Sequence, residues 1–127
     1  MCYVRRGVLG RMIQILKPNF EFGDERGKLT QLVREGYKQI NVITSNKGCY
    51  RGGHFHKVNK ECFYIISGEI ELTVTDGLVE KKYIFKENDM FLIEENIKHS
   101  FLFKEDTLLV SMYSNGVELA NGEKDIY

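Results

Sequence analysis

The amino-acid sequence predicts an all-β protein, a sandwich or barrel of short strands. Three observations carry this. Apolar and polar residues alternate with a period of two, most clearly where Ile70, Leu72 and Val74 interleave with Glu69, Glu71, Thr73 and Thr75. Turn residues recur at intervals of roughly 8–12 residues, the spacing of a sandwich or barrel. Nowhere does a stretch of ordinary helical length carry the apolar stripe of an amphipathic helix.

The elements follow in chain order. Residues 12–16 are a short apolar run that ends at Lys17-Pro18, and the ring of Pro18 cannot donate to a ladder. Residues 22–28, with Gly23, Gly27 and several charges, read as a tight turn leading into a strand over 29–33. Residues 40–44 are another β-rich run, bounded by Gly36 and by Asn46-Lys47-Gly48. The apolar run 62–66 stops at Gly68, where the chain turns back into the alternating strand. Asp76-Gly77 closes that strand as a hairpin, since this pair accepts the positive φ such turns require. Further strands are expected over 79–85, 90–93, 99–103 and 108–113, with turns at 86–89 and 105–106. The tail from Gly116 is polar apart from a few anchors, and either packs on the outside or is loose.

Residues 1–127 are expected to form one domain with a single core. The 18 Lys and Arg residues balance the 18 Asp and Glu residues, which leaves no electrostatic footprint for nucleic acid or a membrane surface. The expected partner is a small molecule or a second copy of the chain. Cys2, Cys49 and Cys62 are an odd set without Cys-x-x-Cys spacing, ordinary thiols of a reducing cytoplasm. In residues 1–11 the apolar run is only Val8-Leu9, too short for a leader or a span, so a cytoplasmic location is expected. That segment is either a flexible extension or a strand lent to a partner subunit.

The histidines of the chain fall in two places. His54 and His56 are two apart, and on a strand residues i and i+2 project from the same face. Glu61 returns over the same spot if residues 57–60 turn the chain. His99, opening the alternating segment 99–103, is the one imidazole left to complete a site. Imidazole nitrogen and carboxylate oxygen without thiolate suit a divalent first-row metal such as zinc, iron, manganese or nickel. One histidine alone in a strand is more often a hydrogen-bonded structural residue; three in register with a carboxylate point to a shared polar site.

His54-x-His56, followed by Glu61 and Gly68, is similar to the first signature of the cupin superfamily. Asn88-Asp89, Glu94, Asn96 and His99 have the spacing of its second. Cupins usually carry Gly at the positions of Asn88 and Asn96 and Pro at that of Glu94, so the turn chemistry differs here. The resemblance implies a cupin double-stranded β-helix, the jelly-roll barrel, with His54, His56, Glu61 and His99 as metal ligands. It also implies a homodimer paired through outer strands.

A narrower resemblance spans residues 20–77. Phe22-x-Asp24-x-Arg26-Gly27-x-Leu29, Gln39-x-Asn41 and Arg51-Gly52-x-His54-x-His56-Lys57 look like the sugar-nucleotide cupins. These are the deoxysugar 3,5-epimerases, the 3,4-ketoisomerases and the cupin domain of capsule-assembling epimerase/reductases. Such enzymes act on nucleoside-diphosphate 4-keto-6-deoxyhexoses in surface polysaccharide synthesis. The C4 ketone acidifies the hydrogen on C3; a base removes it, and the enolate is reprotonated on the other face or at a neighbouring atom. Base, proton donor and a positive charge near the oxyanion are needed.

On this resemblance His54 and His56 serve as base and acid, Arg51 and Lys57 hold phosphate or enolate oxygen, and Tyr50 is a proton donor. Arg26 and Tyr64 join Arg51 in binding substrate. Plainer readings stand beside these: solvated surface groups for Arg51 and Lys57, amphipathic packing for Tyr50 and Tyr64, an ion pair with Asp24 for Arg26. Phe55, Phe63, Phe101 and Phe103 read as core or pocket wall. A nitrogen that gives its lone pair to a metal cannot accept a proton there, so the complete set with Glu61 and His99 favours metal, with proton transfer left to other groups. The alternatives are a metal-free 3,4-ketoisomerase using the His54/His56 pair, a small metal-dependent cupin oxygenase, and a non-catalytic small-molecule-binding cupin.

Overall fold

In the computed structural model, which describes residues 11–127, the chain forms eleven β-strands and, among the described residues, no helix. The expectations for residues 1–10 lie outside the described residues. The strands are β1 (Ile13–Leu16), β2 (Phe20–Asp24), β3 (Gly27–Gln31), β4 (Gln39–Ser45), β5 (Tyr50–His54), β6 (Glu61–Ser67), β7 (Glu69–Thr75), β8 (Glu80–Lys86), β9 (Met90–Ile93), β10 (Lys98–Phe103) and β11 (Thr107–Tyr113). One sheet has the order β1-β9-β6-β11-β4 and the other β5-β10-β7-β8, both antiparallel; β2 and β3 pair with each other. This is the expected all-β jelly roll.

Period-two patterning sets what each face meets. On β7, Ile70, Leu72 and Val74 are wholly buried, with the intervening Glu and Thr side chains turned outward. On β6, Phe63 and Ile65 enter the main core with Phe85, Phe91, Phe101 and Phe103. Cys62 and Tyr64 go to the opposite face, into a smaller cluster under Leu32, Val33 and Tyr37. A strand covered on both faces needs apolar residues in sequence, which is why 62–66 lacks alternation.

The structure differs from the sequence reading in three places that matter. The turn over 22–28 narrows to the tip of a hairpin, its strands paired as far as Asp24 opposite Gly27. There the Asp24 carboxylate accepts the Arg26 backbone N–H at 3.0 Å and Gly27 takes φ 136. Second, β5 ends at His54, so His56 is not on its strand. Third, the tail is held tightly: Asp125 is fully buried, and Phe55 and Tyr127 exchange backbone hydrogen bonds of 3.2 and 3.1 Å.

Candidate active site

Between the two sheets lies a cavity of about 410 Å³. Ile43, Phe63, Phe101, Phe103 and Leu109 form its apolar wall, and His54, Glu61, His99, Arg51 and Tyr113 its polar side. His99 enters from β10 and Glu61 from β6, so both sheets contribute polar groups. His54 comes from the end of β5, beside His99 in the ladder. That approach depends on Gly52, where an added Cβ would sit 2.7 Å from the His99 carbonyl oxygen.

The three imidazoles converge, with His54 4.9 Å from His99 and 5.0 Å from His56 between ring centroids. Their candidate ligand nitrogens lie within 4.8 Å of one another. Glu61 stands against two of them: Oε1 is 3.1 Å from His56 Nε2 and 3.5 Å from His99 Nε2. Its other oxygen, Oε2, accepts the Ser111 hydroxyl at 2.6 Å. The histidines therefore meet as expected, but His56 arrives from a loop rather than from the face of a strand.

The ring tautomers follow from the partners. His56 Nδ1 lies 2.6 Å from the Asp125 carbonyl and His99 Nδ1 lies 3.0 Å from the Ile97 carbonyl. A carbonyl only accepts, so both Nδ1 atoms carry hydrogen. In the neutral rings both Nε2 lone pairs then face the Glu61 carboxylate, and acceptors in such contact need a shared cation, a proton or a metal ion. The three imidazoles fit a divalent metal, with Glu61 against two of them and backbone carbonyls fixing two of the rings from behind, as metal-bound histidines usually are fixed.

The electrostatics are consistent with a cation-seeking pocket. Burial alone would raise the Glu61 pKa, but hydrogen bonds from the Nε2–H groups that His56 and His99 carry when protonated, and from Ser111, outweigh it and hold the carboxyl at about 2. Burial and the neighbouring His99 and His56 rings lower His54. For His56 burial acts in the same direction, yet its bonds to Glu61 and the Asp125 carbonyl win and raise it. Burial and the Glu61 charge push the Tyr113 phenol well above its ordinary range.

Four sequence-predicted residues stand outside the cavity. Tyr64 points to the opposite face of β6, where its hydroxyl donates to Asn88 Oδ1 at 3.0 Å, because odd and even residues of that strand part company. Arg26 forms a 2.6 Å ion pair with Asp24 at the exposed hairpin tip. Lys57 places its ammonium over the Tyr127 ring, 4.1 Å from the centroid. Tyr50 is 70% exposed and lines a separate shallow groove beside Arg51. Arg51 does reach the cavity wall, braced by Nε donating to Ser45 Oγ at 2.6 Å and by Nη2 donating to the Thr44 carbonyl at 3.3 Å. Sequence reasoning missed Tyr113 and Ser111. The inward period of β11 that carries Leu109 into the core was the signal that would have found both.

The cupin domain model matches residues 41–114, more than half of the chain. The chain belongs to the cupin family. No curated protein matches its sequence. Among solved structures this cupin is similar to a 3,4-ketoisomerase from Helicobacter canadensis, with 23% identity and TM-score 0.76 over 91% of this chain and 89% of that one. It is similar also to the TDP-quinovose 3,4-ketoisomerase of Campylobacter jejuni, at 20% identity and TM-score 0.74 over 89% and 92% of the two chains. A third is the dTDP-4-dehydrorhamnose 3,5-epimerase of Sulfolobus tokodaii, at 21% identity and TM-score 0.69 over 83% and 71%. These likenesses establish the shared fold. No helix of the described residues is long and apolar enough to cross a membrane.

Proposed function

We propose that this cupin isomerises or epimerises a nucleoside-diphosphate 4-keto-6-deoxyhexose by enolisation at C3, in the making of a surface polysaccharide. The observation that carries this reading is the meeting of three imidazoles and a carboxylate at one side of an apolar cavity of hexose dimensions, with the Arg51 guanidinium on its wall. The named activities of the similar structures add support, as does the Arg51-Gly52-x-His54 sequence.

His54, His56, Glu61 and His99 would hold the divalent metal, zinc, iron, manganese or nickel. When bound, it supplies Lewis-acid stabilisation of an enolate oxygen. The remaining work belongs to side chains. The apolar wall of Phe63, Phe101 and Phe103 would exclude water and suits the apolar 6-deoxy methyl of such a sugar. Arg51 binds phosphate or enolate oxygen through the N–H groups that Ser45 and Thr44 leave free. Tyr113, a tyrosine on the cavity wall, takes the donor role expected of Tyr50.

A second reading is favoured by one observation. His54 is the half-buried imidazole of the cluster and, among the described residues, the one without a hydrogen bond fixing its Nδ1. In a metal-free enzyme it is the ring free to accept the C3 proton, with His56 held as the charged partner of Glu61. Exposed Ile40 and Val42 on edge strand β4 support the homodimer, which sedimentation would test.

Deuterium wash-in at C3 of a TDP-linked 4-keto-6-deoxyhexose tests the enolisation. Exchange with solvent supports it, and no exchange under conditions where the sugar binds would leave a non-catalytic binder. Elemental analysis of untagged protein beside a His99→Ala variant separates the two readings. Near-stoichiometric metal lost in the variant supports the four-ligand site; metal-free protein that still exchanges supports the His54 base. Oxygen consumption with iron would instead indicate the oxygenase.

A further inference from the structure

Because β5 stops at His54, the strand that was expected to carry His56 does not place it. Something else holds a ring that is 97% removed from solvent, by its 3% exposure, with its Nε2 aimed at Glu61. The candidates on its own chain segment are weak, since residues 57–60 are a loop without a ladder. All the bonds that fix this loop come from far along the sequence.

Asp125 supplies three of them, and residues 114–116 supply others. Its carboxylate accepts the backbone N–H of Lys57 through Oδ1 at 2.8 Å and that of Val58 through Oδ2 at 3.0 Å. Oδ2 also accepts Asn59 Nδ2 at 2.9 Å, and Asn59 in turn binds the Asn115 and Gly116 backbone, tying the loop to the end of β11. The backbone carbonyl of the same residue accepts His56 Nδ1–H at 2.6 Å. One residue thus grips the ring and the two peptide units that follow it. Beside it, Phe55 pairs with Tyr127 in both backbone directions and stacks on its ring at 5.7 Å.

We propose that Asp125 is a positioning residue for His56: the tail it anchors holds Nδ1–H on the Asp125 carbonyl, so that Nε2 is the nitrogen presented to Glu61. The buried carboxylate is not among the groups lining the cavity, and both its oxygens are engaged by loop donors. Its contribution is therefore to orientation and not to the reaction. This inference deepens the reading of His56 as ligand or acid, and it concerns the ring's tautomer, which does not require metal to be present.

The test reads the tautomer first. In metal-free protein at alkaline pH, where the imidazoles are neutral, long-range ¹H–¹⁵N spectra are expected to place the His56 proton on Nδ1. Asp125→Ala removes the three side-chain bonds that seat the carbonyl. The variant is expected to show a mixture of tautomers at His56, with His99 unchanged, and a fall in cobalt affinity of about ten- to a hundredfold. A Lys124→Ala control in the same exposed stretch is expected to match the parent. If Asp125→Ala does not fold, Asp125→Asn is read by the same spectra. His56 remaining wholly Nδ1-protonated in the folded variant overturns the proposal. A parent protein that binds no cobalt would count against the metal reading alone, leaving the tautomer result to decide this one.

Discussion

The Ser111 hydroxyl donates a 2.6 Å hydrogen bond to Glu61 Oε2, from the neighbouring strand of the same sheet. Both residues are buried, Ser111 completely and Glu61 to 4% exposure. One carboxylate oxygen is thereby committed to β11, and the other is left to the imidazoles. Ser111→Ala leaves that buried oxygen without its donor. Hydrogen bonds to charged groups contribute about 1.5–3 kcal/mol, so urea unfolding at neutral pH is expected to register a loss of that order. A change within error would mean that Glu61 re-pairs elsewhere.

The same carboxylate predicts a stability decline in acid. Its pKa is about 2 in the folded protein against an ordinary 4.5. Between those values the unfolded chain binds more protons than the folded one, so stability falls with pH; above 4.5 the contribution is fully present. Linkage makes it about 3 kcal/mol, at order of magnitude. His56 acts in the opposite sense: its raised pKa stabilises the fold below the ordinary 6.5 and that stabilisation is lost as pH rises through the folded value. Unfolding free energies of parent and Glu61→Gln across pH 2–7 check the first claim, since about 3 kcal/mol of the acid slope is expected to vanish in the variant.

Gly52 is the closest approach between β5 and β10. It has φ 101, and a Cβ there would lie 2.7 Å from the His99 carbonyl oxygen and 3.0 Å from Ser100 Cα. Gly52→Ala must open the ladder that sets His54 beside His99. Strain of about 1–3 kcal/mol is expected from the backbone and a comparable amount from overlap. The melting temperature and the C3 exchange rate are expected to fall together, and an active variant of normal stability would show that the strands have room.

Much of the fold could be read because its signals are local. The alternation of β7 and the hairpin at Asp76-Gly77 need only neighbouring residues; the alternation stands as expected, and the hairpin forms through a loop over 76–79 in which Gly77 takes φ 96. Asn88 and Asn96 depart from the usual cupin glycines, yet they take φ 72 and 64, and asparagine is among the side chains that tolerate this region best. Their departure from the pattern therefore kept its geometry. Asn96→Gly is expected to change stability by less than about 1 kcal/mol, and Asn96→Val to lower it by at least 1–2 kcal/mol, roughly the left-handed penalty. Thermal unfolding of the pair checks this. What could not be read was non-local: that β5 ends before His56, and that Asp125 holds that ring from 69 residues away.

Arg51 gives the sharpest functional test of the cavity. Its guanidinium is braced by two donations, to Ser45 Oγ and the Thr44 carbonyl, and a braced fork presents its remaining N–H groups in one fixed direction. Lysine keeps the charge but cannot make both bonds and still face the cavity. If Arg51 binds the diphosphate, Arg51→Lys is expected to raise KM for the nucleotide sugar about tenfold, the equivalent of about 1.4 kcal/mol, with kcat nearly unchanged. If it stabilises the enolate oxygen, kcat falls by a similar factor and KM holds. Steady-state kinetics on the 4-keto sugar separate the two, and a variant equal to the parent in both constants would return Arg51 to the surface role that its place at the strand edge first suggested.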